Sequence, residues 1–163
     1  MSAGFSVDTG RLRGGTGLPS VVPVVRRADL KEFSWPVRVY YEDTDAGGVV
    51  YHANYLAFME RARTEWLRSL GFGQRELAEG LGVLFAVRSM ELDFLKPARF
   101  DDELSVTATI HHLARASIDF RQEIHSASGE TLCRGRIRVA CIDAERFRPC
   151  AIPQPIRNAA EAT

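Results

Sequence analysis

The amino-acid sequence predicts an α+β domain in which one long helix lies across a single antiparallel sheet. Three observations predict this fold class: helical spacing of apolar residues over 53–70, alternating spacing in four later segments, and short turns between those segments. Strands that follow one another through short turns pair antiparallel. Only one long amphipathic helix is available to cover a sheet of this size, so it has to pack across the sheet.

The first part of the pattern is a strand followed by helices. Residues 37–41 alternate in polarity, which predicts a half-buried strand. Apolar residues then recur every three or four positions over 53–70, which predicts a long amphipathic helix, and Gly71 is a favourable residue just beyond a helix end. A second, short helix is predicted over 74–81.

The second part of the pattern has a period of two. It predicts four strands, at residues 83–95, 104–110, 118–124 and 137–141. Lys96-Pro97 ends the first of these strands, and the Ser-Ala-Ser-Gly sequence at 126–129 is typical of a turn. With the strand at 37–41, the sheet is predicted to have about five strands.

The chain of 163 residues suits one domain with a substantial core. Residues 1–33 are rich in glycine and arginine and have no sustained apolar period, which predicts a flexible N-terminal leader. The domain itself is expected at 34–153, and residues 154–163 are expected to be a C-terminal tail.

Composition disfavours several classes of function. Lys and Arg number 21 and Asp and Glu number 21, so bulk charge does not favour binding to nucleic acid. The three cysteines form no CxxC pair, which favours reduced thiols and a cytoplasmic protein. No apolar stretch reaches the roughly 18 residues of a membrane span, so no integral membrane segment is expected.

The region with the clearest chemical signal is an acidic turn just before the long helix. Glu42, Asp43 and Asp45 lie in this turn, followed by Gly47 and Gly48. A carboxylate can act as a base or a nucleophile, and free N–H groups at a helix start can hold a developing negative charge. An acidic turn before a helix is also a common cap, but two glycines that allow close backbone approach favour a catalytic site, with Asp45 as the candidate.

Other candidate groups are less specific. His52, just before the predicted helix, is either a ring bonded to backbone or a polar group that faces a substrate carbonyl. The four histidines have no HExxH spacing and no GxSxG sequence is present, so no metal, no cofactor and no serine nucleophile are predicted. Arg134, Arg136 and Arg138 share one side of a predicted strand, which is either a solvated face or a surface for the phosphates of an anionic carrier.

A long motif resembles that of a known family. Residues 35–55 read WPVRVYYEDTDAGGVVYHANY, residues 60–65 read ERARTE, and Pro97-Ala98-Arg99 precedes Asp101-Asp102. Together they resemble the hotdog-fold acyl-CoA thioesterases of the hydroxybenzoyl-CoA thioesterase superfamily, in the YbgC-type branch associated with the Tol-Pal system. The resemblance extends over roughly residues 35–153, and the leader departs from it.

The resemblance implies a fold, a site and an assembly. The fold would be a curved antiparallel sheet wrapped around one long central helix. The family's catalytic aspartate corresponds to Asp45, and the histidine at the helix start corresponds to His52. We expect the acyl-CoA substrate to contact residues next to these two: Tyr41, Gly47, Gly48, Val49, Tyr51 and Ala53.

The family further implies a homodimer that assembles into a homotetramer, with cell-envelope proteins or an acyl carrier protein as candidate partners. It implies a cytoplasmic protein that is peripheral to the inner membrane. The predicted function is hydrolysis of an acyl-CoA thioester to a free acid and CoA. The alternatives are an acyl carrier protein thioesterase or another hotdog enzyme, and a non-catalytic interaction module of the cell envelope or of lipid synthesis.

Overall fold

The computed structural model describes residues 33–162, in which one antiparallel sheet packs on a long helix. Its elements, in chain order, are β1 (Phe33–Arg38), α1 (His52–Ser69), α2 (Gln74–Gly80), β2 (Val83–Phe94), β3 (Glu103–Leu113), β4 (Ser117–Ser126), β5 (Thr131–Asp143) and α3 (Gln154–Glu161). The strands of the described range lie in the order β1-β3-β4-β5-β2. This arrangement confirms the predicted α+β class and the five-stranded sheet.

The core lies between the inner face of the sheet and one face of α1. The buried residues of α1 recur at helical spacing: Tyr55, Phe58, Met59, Ala62, Trp66 and Leu67. On β5 the inner residues Ile137 and Val139 are buried while the intervening Arg138 is exposed, as expected for a strand with one solvated face. The helix therefore packs on the sheet with one fixed face, the one that carries its buried residues.

The first strand begins and ends earlier than the sequence predicts. β1 ends at Arg38, although Val39 still exchanges hydrogen bonds with the loop before β3, through Asp102 and Asp101. The chain then curls into a short 3₁₀ turn over Tyr41–Asp43 because the Asp43 carboxylate accepts the N–H of Tyr40 at 2.9 Å. Tyr41, predicted to continue the strand, thus lies in the turn that leads to the candidate site.

The structure describes the C-terminal segment up to residue 162 but describes the N-terminal segment only from Phe33 onwards. The predicted leader, residues 1–33, lies outside the described residues except for Phe33, which begins β1. In the segment predicted as a tail, α3 packs on the domain with Ile156 and Ala160 buried. Among the described residues no helix is both long and apolar enough to cross a bilayer.

Candidate active site

Asp45 opens a tight hairpin turn between β1 and α1. Thr44 and Val50 form an antiparallel bridge, the N–H of Asp45 donates to the carbonyl of Val49 at 3.0 Å, and the N–H of Gly48 donates back to the carbonyl of Asp45 at 3.0 Å. Gly48 has a φ of +71°, as expected where a left-handed residue follows a β-turn in a three-residue hairpin loop. The turn therefore holds Asp45 at its first position, which Asp favours in such turns.

The carboxylate of Asp45 is exposed but oriented. Its Oδ1 accepts a hydrogen bond of 2.7 Å from the N–H of Gly47, a contact that Asp commonly makes two residues ahead in a turn. Within the described residues no partner is recorded for Oδ2. One oxygen thus fixes the rotamer while the other is accessible to water or to a substrate.

The hairpin is anchored on the loop that joins β2 to β3. The N–H of Val50 donates to the carbonyl of Ala98 at 2.9 Å, and Val49 forms a bridge with Arg99. The N–H of Ala98 in turn donates to the hydroxyl of Tyr55 in α1 at 2.9 Å. Burial raises the pKa of Tyr55 above its ordinary value, so this hydroxyl stays neutral. The hairpin and the helix are therefore both hydrogen-bonded to Ala98.

The N-terminus of α1 has free N–H groups next to this hairpin. Tyr51 precedes the helix, its N–H donates to the carbonyl of Asp43 at 2.8 Å, and its carbonyl accepts from Asn54 at 2.8 Å. In the described part of the chain, no acceptor is recorded for the N–H groups of His52 and Ala53. Such first-turn N–H groups can bind the oxygen of a polarised carbonyl. His52 itself is exposed and is the first residue of the helix rather than the residue before it.

Aromatic rings surround the helix start. The ring of His52 lies 4.3 Å from that of Tyr51 and 6.4 Å from that of Phe94, measured between centroids. Phe94 also contacts Tyr55 at 5.5 Å and is 50% exposed. Sequence reasoning missed Phe94 because it ends a different element, β2, and nothing in the local pattern marks that strand end as close to His52.

The remaining predicted contact residues lie around the same turn. Tyr41 is 77% exposed and stacks on Phe100, with ring centroids 3.9 Å apart. Val49 is half-buried in its bridge to Arg99, whereas Tyr51 and Ala53 are exposed at the helix start. Their role in substrate binding stays a prediction.

The arginine stripe lies elsewhere, on the outer face of the sheet. Arg138 contacts both carboxylate oxygens of Asp119 at 2.7 Å, and Arg134 pairs with Asp93 at 2.9 Å. Two of the three cations are therefore already paired with carboxylates, which favours a solvated face. Across residues 33–162, no group of His, Cys, Asp or Glu is arranged to hold a metal ion.

Comparison with known proteins identifies the family. The family model described as the thioesterase superfamily matches residues 47–133, more than half of the chain, and its match begins two residues after Asp45. The chain belongs to the thioesterase superfamily. The prediction of a thioester hydrolase with a hotdog fold is confirmed at the level of this family.

Individual members of the thioesterase superfamily are similar over most of the domain. The chain is 48% identical over 124 residues to the acyl-CoA thioester hydrolase YbgC of Escherichia coli O6:H1, covering 76% of this chain and 92% of that protein. It is 45% identical over 127 residues to the acyl-CoA thioesterase YbgC of Haemophilus influenzae, covering 78% and 93%. A probable thioesterase from Bartonella henselae has a similar structure, with a TM-score of 0.72, 38% identity, and 75% and 99% coverage.

Proposed function

We propose that this protein hydrolyses acyl-CoA thioesters to a free acid and CoA, with Asp45 as the reacting carboxylate. The observation that carries the proposal is the pairing of an oriented carboxylate with a helix start whose first N–H groups are free. Both lie on one support, through Val50 and Tyr55, which contact the same residue, Ala98. The similar YbgC proteins, which act on acyl-CoA by name, support CoA as the carrier.

The carbonyl oxygen of the thioester would lie at the N–H groups of His52 and Ala53. As the carbonyl carbon is attacked, charge develops on this oxygen, and donors placed at that position stabilise the transition state. Removing one such donor typically costs about 3 kcal/mol of activation free energy. The His52 ring would lie beside the carbonyl and, with Phe94 and Tyr51, limit access of water to it.

Asp45 can act in either of two ways. As a base, it would take a proton from a water molecule whose oxygen attacks the carbonyl carbon, and the tetrahedral intermediate would then expel CoA as a thiolate. As a nucleophile, its carboxylate would attack the carbonyl carbon and release the thiolate, leaving a mixed anhydride that water hydrolyses. A thiolate is a good leaving group, so neither route needs an acid beside the sulfur.

The decisive experiment compares Asp45→Asn with Glu42→Gln on a panel of acyl-CoA thioesters. Glu42 is a matched control because it is an exposed carboxylate in the same turn with no recorded side-chain partner within the described residues. Loss of the catalytic carboxylate is expected to lower kcat by about 10²–10⁴-fold, while Glu42→Gln keeps parental activity. Activity of Asp45→Asn within twofold of the parent would exclude Asp45 as the reacting group.

Two further measurements define the reaction. Single-turnover hydrolysis in heavy-oxygen water tests for the mixed anhydride. Label in the Asp45 carboxylate identifies Asp45 as the nucleophile, because solvent oxygen enters there only when water attacks the Asp45 carboxyl carbon of the anhydride. The base route places the label in the product acid alone. The same acyl groups presented on acyl carrier protein and on CoA show which carrier is preferred. A protein that turns over no thioester on either carrier would instead be a binding module.

We also propose that two copies of the chain pair through β2. Among the described residues this strand pairs only with β5, so its other edge is open. Val87, Met90 and Phe94 are 44%, 37% and 50% exposed, although they lie on the inner side of the sheet. An open, apolar edge strand of this length is normally covered by another chain. Met90→Lys is expected to shift the protein towards monomer in sedimentation, and an unchanged dimer would contradict this interface.

The predicted homotetramer, the Tol-Pal association, the acyl carrier protein partner and the cytoplasmic location at the inner membrane rest on the family resemblance and stay predictions.

A further inference from the structure

Asp43 is the buried carboxylate of the 3₁₀ turn that leads to Asp45. Only 5% of its surface is exposed, whereas Asp45, two residues later, is exposed. Its Oδ2 accepts the N–H of Tyr40 at 2.9 Å, and its Oδ1 accepts the side-chain amide of Asn54 at 3.3 Å. Burying a carboxylate is costly unless donors replace its water, and these two donors do so.

The main chain of Asp43 adds two bonds, a second one to Tyr40 and one to Tyr51. Its N–H donates to the carbonyl of Tyr40 at 3.1 Å, and its carbonyl accepts the N–H of Tyr51 at 2.8 Å. The second bond uses the N–H that precedes the helix, so the free donors at the helix start are those of His52 and Ala53. Asp43 thus contacts the end of the first strand, the turn and the start of α1.

The contact between Asp43 and Asn54 is the central part of this arrangement. Asn54 is in the first turn of α1, two residues after His52. Its side-chain amide donates to the Asp43 carboxylate and, at 3.5 Å, to the carbonyl of Glu42. Within the described residues, these are the side-chain hydrogen bonds that join residues 40–50 to α1. The Asn54 amide therefore links the 3₁₀ turn directly to the first turn of α1.

We propose that Asp43 is a positioning residue, which through Asn54 sets the separation between the Asp45 carboxylate and the free N–H groups of His52 and Ala53. The inference rests on the proposed function. It follows from connectivity, because three sets of hydrogen bonds join Asp45 and its neighbours to the helix start: this contact, the main-chain bond from Tyr51 to Asp43, and the bonds to Ala98. Of these, only the contact between Asp43 and Asn54 joins two side chains, so it is the one whose partners substitution can exchange. A reacting group displaced by about 1 Å can lose 10²-fold in rate, so a contact that fixes this distance affects kcat.

The test exchanges the two partners. Asn54→Asp places two carboxylates in contact and is expected to lower kcat by about 10²-fold, because their repulsion separates turn and helix. The double variant Asp43→Asn with Asn54→Asp restores an amide facing a carboxylate and is expected to recover kcat to within about tenfold of the parent. Asp43→Asn alone is expected to lose less than Asn54→Asp, because the Asn54 amide can rotate to present its oxygen.

Two readouts separate positioning from general stabilisation. All assays are made over a range of substrate concentrations up to saturation, at a temperature where each variant is folded by circular dichroism. Positioning predicts that kcat falls while KM stays within about threefold, because binding energy from the rest of CoA is unchanged. A merely structural role predicts that activity follows the folded fraction, with parental kcat for the folded protein. Asn54→Ala gives the same comparison without added charge if Asn54→Asp fails to fold.

Asp45→Asn and Glu42→Gln are measured in the same series. Parental kcat in folded Asn54→Asp or Asn54→Ala, while Asp45→Asn is inactive, overturns the positioning role and leaves the proposed function intact. A folded exchange variant no more active than Asn54→Asp also overturns it. Retained activity in Asp45→Asn overturns the proposed mechanism instead. A loss in Asn54→Asp that the exchange recovers, with Glu42→Gln at parental activity, supports the positioning role.

Discussion

The Oδ1 atom of Asp45 lies 2.7 Å from the backbone nitrogen of Gly47, and a Cβ atom added to Gly47 would lie 3.0 Å from that same oxygen. The glycine therefore both orients the carboxylate and leaves room for it. A methyl group at this position has to push the carboxylate away by a few tenths of an ångström. This contact relates a turn residue directly to the geometry of the proposed reacting group.

Gly47→Ala is expected to lower kcat by up to about 10²-fold with little change in the urea midpoint of unfolding. The reason is that the added methyl meets the tip of a side chain that can rotate, so the fold is not strained but the carboxylate is displaced. Steady-state kinetics and urea unfolding of the same preparation provide the measurement. Parental kcat would show that the orientation of Asp45 tolerates this shift.

Gly48→Ala is the matched control, because nothing lies within 4 Å of the added Cβ but the residue has a φ of +71°. A non-glycine residue in this conformation costs about 1–2 kcal/mol. The expected pattern is the reverse of that at Gly47: lower stability, with kcat of the folded protein less affected.

Tyr55→Phe is expected to weaken the support that joins the hairpin to α1. Tyr55 is 3% exposed, and its hydroxyl is the acceptor for the N–H of Ala98. Without it a buried donor is left unpaired, which costs about 1–3 kcal/mol. Urea unfolding measures the loss, and Tyr40→Phe is the control because Tyr40 is 61% exposed. Equal midpoints for the two variants would contradict the supporting role of this hydroxyl.

Gln122 is expected to stabilise the fold through a half-buried cation, Arg63. Its amide nitrogen donates to the carbonyls of Met59 and Thr107 at 3.1 Å. Its amide oxygen therefore faces Arg63 and accepts a hydrogen bond of 2.7 Å from Nη1 of that residue. Partial burial lowers the pKa of Arg63 to about 10, because removal from water disfavours the charged form.

Gln122→Met is expected to lower the free energy of unfolding by about 1–3 kcal/mol, because Arg63 loses its acceptor and the carbonyls of Met59 and Thr107 lose a donor. Adding Arg63→Met is expected to recover part of that loss, since removing both partners leaves no buried donor unpaired. Urea unfolding of the two single variants and the double variant tests this. Strictly additive losses would contradict the coupling.

The pair of Asp119 and Arg138 is expected to make the free energy of unfolding depend on pH in the acid range. Hydrogen bonds from Arg138 lower the pKa of the Asp119 carboxyl below its ordinary value of 3.8. A carboxyl whose folded pKa is depressed stabilises the fold above its unfolded pKa, and this contribution is lost as the pH falls through the folded pKa. The parent should therefore exceed Asp119→Asn in urea midpoint at neutral pH, and the difference should vanish in strong acid. A difference that persists in acid would contradict the ionic origin.

Much of the fold and part of the site were predictable because their signals are local. The long helix was predicted at 53–70 and lies at His52–Ser69, and the strand predicted at 83–95 lies at Val83–Phe94. Each follows from a periodicity that neighbouring residues create by themselves. The sequence of Asp45 and the two glycines at 47 and 48 likewise predicted a turn from adjacent residues. Hydrogen bonds within residues 44–50 form that turn.

Only the tertiary structure decided which acidic residue is buried and what surrounds the other. Asp43 and Asp45 are the same residue type two positions apart, yet one lies against Tyr40 and Asn54 while the other is exposed. Ala98 and Phe94 both contact Tyr55 near the start of α1, and that depends on how β2 and the loop after it pack against the helix. Burial and contacts between distant segments depend on packing through space, whereas periodicity and turn formation depend on adjacent residues. By itself, therefore, the sequence determined the long helix, the strands of the sheet and the turn at Asp45, and packing determined which side chains meet there.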